Sequence, residues 1–428
     1  MQLVSTAASP APGLTFASML AGVAGMCAAA LLLVWQPEAM LTRWHPAALA
    51  AVHLFALGGL MPVMLGALFQ FVPVACGLTL PRWGGVDWLI LFALLAGAFA
   101  LAGGFLLGGP FWLATAGVLL LGSLIVAAGR LARALWRQPL RSEMVAALRR
   151  SAMALGMTLL AGGALLGILL FGWNLPLLAI VDWHALWGIA GWVGGLVASV
   201  AAVVVPMFHV TAPYPKQWRW ATRVLLGALL LGSVAGCLGI GWLASLACSL
   251  LAALALVFGL LTALRVSASK RGERDAFHWG WLGLAALSSA LAVVSLLAHF
   301  SPDPRWSVAF GVLALAGFGG GTVTVMLYRI VPFLIWLHWQ RANKARARLP
   351  LLHQIIPGRW QAAQLGTDAG GMVLLCGAAF WPALTLPGAL LLATSKLGLF
   401  ILLARALHDY RQRLALLKTL PPRVRPVH

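Results

Sequence analysis

Residues 52–77 read VHLFALGGLMPVMLGALFQFVPVACG, an apolar run with one histidine, His53, near its start and Val72-Pro73 near its end. Two later stretches end in the same way. Residues 181–209 close on Val205-Pro206-Met207-Phe208, and residues 319–338 carry Val331-Pro332-Phe333. Pro73, Pro206 and Pro332 lie about 130 residues apart, close to a third of the chain. A recurring period implies repeated supersecondary units. Proline late in a spanning helix is tolerated where neighbours or water satisfy the freed carbonyl. The three stretches therefore read as equivalent inner helices of a threefold membrane bundle.

The composition agrees with a membrane chain. Hydrophobic residues make up 62% and charged residues only 9%, with a mean hydropathy of +0.96, far from a soluble average. The formal net charge of +20 needs no nucleic acid, because basic residues gather in the cytoplasmic loops of polytopic proteins. The five cysteines form no CxxC pair, which leaves neither a disulfide framework nor a thiolate metal site.

A spanning helix needs about 20 mostly apolar residues. That rule predicts twelve spans: roughly 15–35, 49–76, 87–107, 111–134, 151–172, 180–208, 221–241, 243–265, 279–299, 307–337, 368–385 and 388–407. The expected fold is an all-α integral membrane protein of about twelve transmembrane helices in three pseudo-symmetric four-helix groups. The pseudo-repeats cover roughly 15–135, 151–265 and 279–408, within one polytopic domain over 1–428. Basic residues follow the even-numbered spans, as at Arg82, Arg141, Lys216, Lys270 and Lys344, and fill the tail at Arg423 and Arg425. The opposite side holds Arg43 and Arg305. The positive-inside rule then puts both termini in the cytoplasm. Tryptophans near span ends, such as Trp35, Trp83, Trp183, Trp218, Trp279, Trp306 and Trp339, read as an interfacial belt.

Ionisable residues inside the bilayer are costly and mark function. By these span limits every acidic residue, Asp87, Glu273 and Asp368 among them, falls in a loop or at a span end. The buried carboxylate expected of a proton pump or proton-coupled carrier is missing, which counts against both. Lys396 is the one clearly intramembrane charge, a candidate partner for an anionic cofactor group such as a haem propionate; Arg329 is close enough to a span end to snorkel. Imidazole is the natural ligand for haem iron, copper or zinc. His53 and His184 sit 20 and 22 residues before their prolines, toward the outer face, and become cofactor-ligand candidates. His184 and His299 are the candidate ligands of a separate metal. A methionine, Met61, Met64, Met207 or Met326, is a further possible axial partner. His209, His278, His338 and His428 read as polar residues of span ends and tails. No HExxH, CxxCH, P-loop or nucleophile elbow is present.

These features resemble subunit I of the haem-copper oxidases and the large subunit of nitric oxide reductase. Residues 66–73, GALFQFVP, look very like the reductase version of the second helix, and Met61-Pro62 followed by Gly66 is similar to the oxidase version. The resemblance implies twelve spans in three groups of four, cytoplasmic termini, and cofactors held between the second, sixth and tenth helices toward the outer face. His53 matches the low-spin haem ligand but lies closer to its Val-Pro. Asp182-Trp183-His184 is similar to the neighbourhood of the non-haem metal ligand, and Gly320-Gly321-Thr322-Val323 and residues 328–332 resemble the tenth helix. Most ligands are missing: the seventh span lacks its histidine pair, residues 308–321 lack the two haem histidines, and the reductase glutamate is absent.

The implied protein is a ligand-depleted, cytochrome c oxidase subunit I-like chain, of the general kind of NnrS-like membrane proteins. It would bind haem, with copper or zinc as further candidates, and act in respiratory electron transfer, sensing or haem and copper handling in a bacterial inner membrane, with other respiratory subunits as partners. Terminal oxidase or nitric oxide reductase activity is not expected. The alternatives are a permease and a cofactor-free structural subunit.

Overall fold

The computed structural model describes residues 12–78, 80, 84–137, 142–272, 274–343 and 347–419. Arg82, Trp83, Arg141, Glu273, Lys344, Arg346, Arg423, Arg425 and His428 lie outside the described residues. Among the described residues, twelve long helices follow one another: α1 (Gly13–Trp35), α2 (Pro46–Cys76), α3 (Gly85–Leu107), α4 (Pro110–Trp136), α5 (Glu143–Phe171), α6 (Leu177–His209), α7 (Trp218–Leu238), α8 (Gly241–Ser267), α9 (Ala276–Phe300), α10 (Arg305–Ala342), α11 (Gly358–Ala378) and α12 (Pro382–Thr419). No strand occurs among the described residues. Eleven of these helices are long and apolar enough to cross a membrane; α11 is long enough but too polar. The chain is thus a helical integral membrane protein. The expected span at 368–385 is displaced: α11 begins at Gly358, because Gln361, Gln364 and Asp368 depress its hydropathy yet are buried.

Burial is uneven among the helices. Within their most apolar windows, α2, α10, α1 and α6 are 72%, 67%, 56% and 50% buried, α12 and α3 are 44% and 39%, and α4, α5, α7, α8 and α9 are 28% or less. α2, α6 and α10 each widen into π-helical turns at one place: Leu54–Leu60, Leu186–Gly194 and Leu313–Gly320. These start 19, 20 and 19 residues before Pro73, Pro206 and Pro332. A π turn shifts the hydrogen-bond register by one residue and gathers at functional sites. Here the turns also meet one another. A side chain at Gly319 would lie 3.1 Å from Leu60 and 3.4 Å from Val193, so the three inner helices converge where α10 has no Cβ.

The largest apolar core joins α1, α2, α10 and α12 through Met26, Leu60, Leu327 and Leu399, and a second joins α6, α8, α9 and α10 through Val205, Phe258, Trp281 and Met326. Trp339 departs from the interfacial belt: it is 2% exposed and donates its indole N–H to the Tyr410 carbonyl at 3.2 Å.

The sixth helix ends on an unusual residue. Val210 has φ 53°, the only non-glycine left-handed position among the described residues, and its side chain is exposed. A β-branched residue there is strained, at a cost of order 1–3 kcal/mol. Val210→Gly is expected to raise stability by about 1 kcal/mol, read as a higher midpoint of thermal unfolding in detergent. An unchanged or lower midpoint would mean that the strain is relieved elsewhere.

Candidate functional site: a histidine pair between the second and sixth helices

His53 ends the first α-helical segment of α2, directly before its π turns, and His184 lies two residues before those of α6. The fold brings these two residues together. Their rings are 6.0 Å apart between centroids and 19° from parallel. His53 Nδ1 lies 2.7 Å from the Leu49 carbonyl and His184 Nδ1 lies 3.1 Å from the Thr158 carbonyl. A carbonyl only accepts, so both Nδ1 atoms carry the proton and both Nε2 atoms keep a lone pair. That is the tautomer a metal needs, oriented by the backbone as ligating histidines ordinarily are.

The surroundings fix the pair. Phe105 of α3 lies 5.2 Å from the His53 ring. Gly162 of α5 makes room for His184, since a Cβ there would stand 3.2 Å from Cε1. At the rim, Arg43 meets Asp182 at 3.3 Å, with both side chains about half exposed, so this bridge contributes little to stability.

The two rings are stacked and near parallel, and each offers an imidazole nitrogen, the donor type that copper, zinc and haem iron take. Among the described residues no group of three or more histidine, cysteine or acidic side chains is gathered to hold a metal; the pair is a two-ligand set. Met61 and Met64 are buried in the main core, Met326 is buried in the second core, and Met207 is 47% exposed.

The other expected site residues lie elsewhere. His299, at the end of α9, faces Ser245 of α8, Nε2 to Oγ 3.0 Å, and has no ring contact or hydrogen bond with His184. Lys396 of α12 is fully buried and ion-paired with Asp368 of α11 at 2.7 Å. Its ammonium also lies 3.2 Å from the Thr324 hydroxyl on α10. Ser395 donates to Asp368 at 2.8 Å, Gln364 donates to Ser395 at 2.7 Å, and Tyr328 donates to Gln364 at 2.8 Å. This satisfied network ties α10, α11 and α12 together.

The network overturns two sequence expectations. Asp368 is 7% exposed inside α11, so a buried carboxylate does exist. Lys396 neither snorkels nor has its charge free for a propionate. Arg329 is also paired rather than snorkelling: it meets Asp275 and lies over the Phe277 ring at 4.6 Å. Asp87 likewise pairs with the buried Arg130. Sequence reasoning missed these pairs because each partner stands on a different helix. The available signal was the polar run Gln361, Gln364 and Asp368 at i, i+3 and i+7, which is one helix face.

A second histidine pair lies at the other end of α6. His209, 1% exposed, has Nδ1 on the Val205 carbonyl at 3.1 Å, while its Nε2 is buried without a partner. The His278 ring is 5.8 Å away, tilted by 57°. Beside it, Asp275 caps α9 by accepting the His278 backbone N–H at 3.0 Å. Burial pushes the Asp275 carboxyl up, but Arg329, that N–H and Arg271 outweigh it, and the group stays below the ordinary carboxylate value. A carboxyl with a depressed folded pKa adds stability above its unfolded value, lost as pH falls through the folded one. Asp275→Asn is therefore expected to flatten the acid limb of the stability profile below about pH 4. Parallel acid limbs in the two proteins would contradict this.

No family model matches the chain, and no curated protein matches it either.

Proposed function

We propose that this chain is a haem- or metal-binding membrane protein whose cofactor site is the His53–His184 pair, in respiratory electron transfer, sensing or haem and copper handling. The observation that carries this reading is the pairing itself. Two histidines at matched places on the second and sixth helices meet at 6.0 Å with both Nδ1 atoms bound to carbonyls. His53 and His184 would hold the metal through Nε2, with Leu49 and Thr158 orienting them. Copper or haem iron held there would supply one-electron exchange, and zinc a structural or Lewis-acid centre. The matched π turns and Val-Pro ends support three four-helix groups of oxidase type, with α11 as a twelfth span. The basic residues support cytoplasmic termini, and a bacterial inner membrane belongs to the same reading. The histidines missing from α7 and from residues 308–321 of α10 argue against dioxygen or nitric oxide reduction.

The test is the visible spectrum and metal content of the full-length protein purified from cells supplied with haem, copper and zinc. His53→Ala and His184→Ala are each expected to lower bound haem or metal at least tenfold. Wild-type protein carrying neither would overturn the proposal.

One observation favours a second reading, a permease. The Asp368–Lys396 pair is the kind of intramembrane charge that marks ion and proton pathways. Uptake into vesicles that depends on Asp368 and survives loss of both His53 and His184 would select it.

A further inference from the structure

A cavity of about 370 Å³ opens between the start of α5, the last turns of α6, the 213–217 link and the start of α7. Its volume is in the range of ordinary ligand sites. Its lining has two characters. Arg150, Lys216 and Arg219 supply positive charge, and Met144, Ala202 and Val203 supply apolar surface. The one lining carboxylate, Glu143, already accepts from Arg223 at 3.1 Å.

Arg150 is the built element of the site. Its Nε and one terminal nitrogen donate to the Thr222 hydroxyl at 3.0 and 2.7 Å. The guanidinium is thereby held in one orientation, with its remaining arm not committed to Thr222. From Arg150 and Thr222 a narrow cleft continues into the bundle, lined by Ser151, Ala154, Gly191, Leu225 and Leu229. Val203 is 40% exposed. The cavity thus joins positive charge to an apolar wall that ends on an exposed α6 side chain.

A soluble anion needs the cations but not the apolar wall, and an acyl chain needs the wall but not the cations. A phospholipid needs both. Basic pockets between transmembrane helices at the charged end of a bundle are the kind that take anionic headgroups. We infer that this cavity is a binding site for one anionic phospholipid, its phosphate on Arg150 and Arg219 and a chain leaving past Val203. The inference is independent of the histidine pair.

The experiment is native mass spectrometry of the delipidated full-length protein, titrated with phosphatidylglycerol, phosphatidylcholine or inorganic phosphate. One phosphatidylglycerol is expected to bind per chain, in preference to phosphatidylcholine, and to resist displacement by millimolar inorganic phosphate. Each positive charge near the membrane surface strengthens such binding about fivefold. Arg219→Gln, an exposed position, should weaken it by that factor, and Arg219→Gln with Arg150→Gln by about 25-fold. Arg43→Gln, distant from the cavity, should leave it unchanged. Equal binding of phosphatidylcholine, displacement by inorganic phosphate, or equal loss in the Arg43 variant would each overturn the assignment. Should the Arg150 variant fail to fold, the Arg219 variant alone decides.

Discussion

Replacing Lys396 with methionine is expected to destabilise the folded chain by about 3–5 kcal/mol, the usual cost of leaving one member of a buried ion pair alone. The Asp368 carboxyl would keep its Ser395 donor but lose the ammonium at 2.7 Å. Asp368→Asn leaves the opposite defect, a fully buried ammonium with neutral acceptors, the Thr324 hydroxyl and the new amide oxygen, but no counter-charge. The two partners remove each other's penalty. The double variant Lys396→Met with Asp368→Asn should therefore recover most of the loss, because well-packed neutral replacements of buried pairs are often tolerated. Thermal unfolding midpoints of the four proteins in one detergent give the coupling directly. Additive losses, or single variants within about 0.5 kcal/mol of wild type, the range of ordinary surface substitutions, would contradict a closed pair. The same double variant separates structure from transport. If the pair serves a permease, it should fold yet lose ion-coupled uptake.

The pair also shows where the sequence stops being legible. Apolar length located eleven of the helices, because each of them fills most of its span with apolar residues and the bilayer sets that length. It failed at α11, where Gln361 and Gln364 read as a loop and Asp368 as a span end, and all three lie on the buried side of one helix. A hydropathy window cannot register that Lys396, Ser395 and Tyr328 from two other helices satisfy Gln364 and Asp368. The histidine pair was half legible. The common distance to a Val-Pro end marked His53 and His184 as equivalent, but nothing in the sequence says that equivalent positions touch. That contact depends on how α2 and α6 pack, with Gly162 of α5 leaving space beside His184. The π turns were illegible for a different reason. Their glycines, as in Gly58-Gly59 or Gly319-Gly320, read equally well as simple packing positions.

One of those packing positions sets the last large effect. α1 crosses the π turns of α2 backbone to backbone through Gly22 and Gly25, three residues apart on one helix face, where small residues let membrane helices approach closely. A Cβ at Gly25 would stand 2.1 Å from the Gly58 carbonyl oxygen, and one at Gly22 would stand 2.5 Å from that of Gly59. Both obstacles are backbone, so no rotamer change can relieve them. Gly25→Ala is expected to cost at least the roughly 1–3 kcal/mol of an overpacked core, although alanine favours a helix by about 1 kcal/mol over glycine. Gly122→Ala in α4 isolates that intrinsic term, since nothing lies within 4 Å of its Cβ; it should stabilise by up to about 1 kcal/mol. The two substitutions are chemically identical and should shift the unfolding midpoint in opposite directions. Shifts of the same sign would place α1 further from α2 than the structure has it. Because His53 lies directly before the π turns that α1 presses upon, the proposed cofactor site adds a second readout: Gly25→Ala should lower any haem or metal content found in the wild type, whereas Gly122→Ala should not.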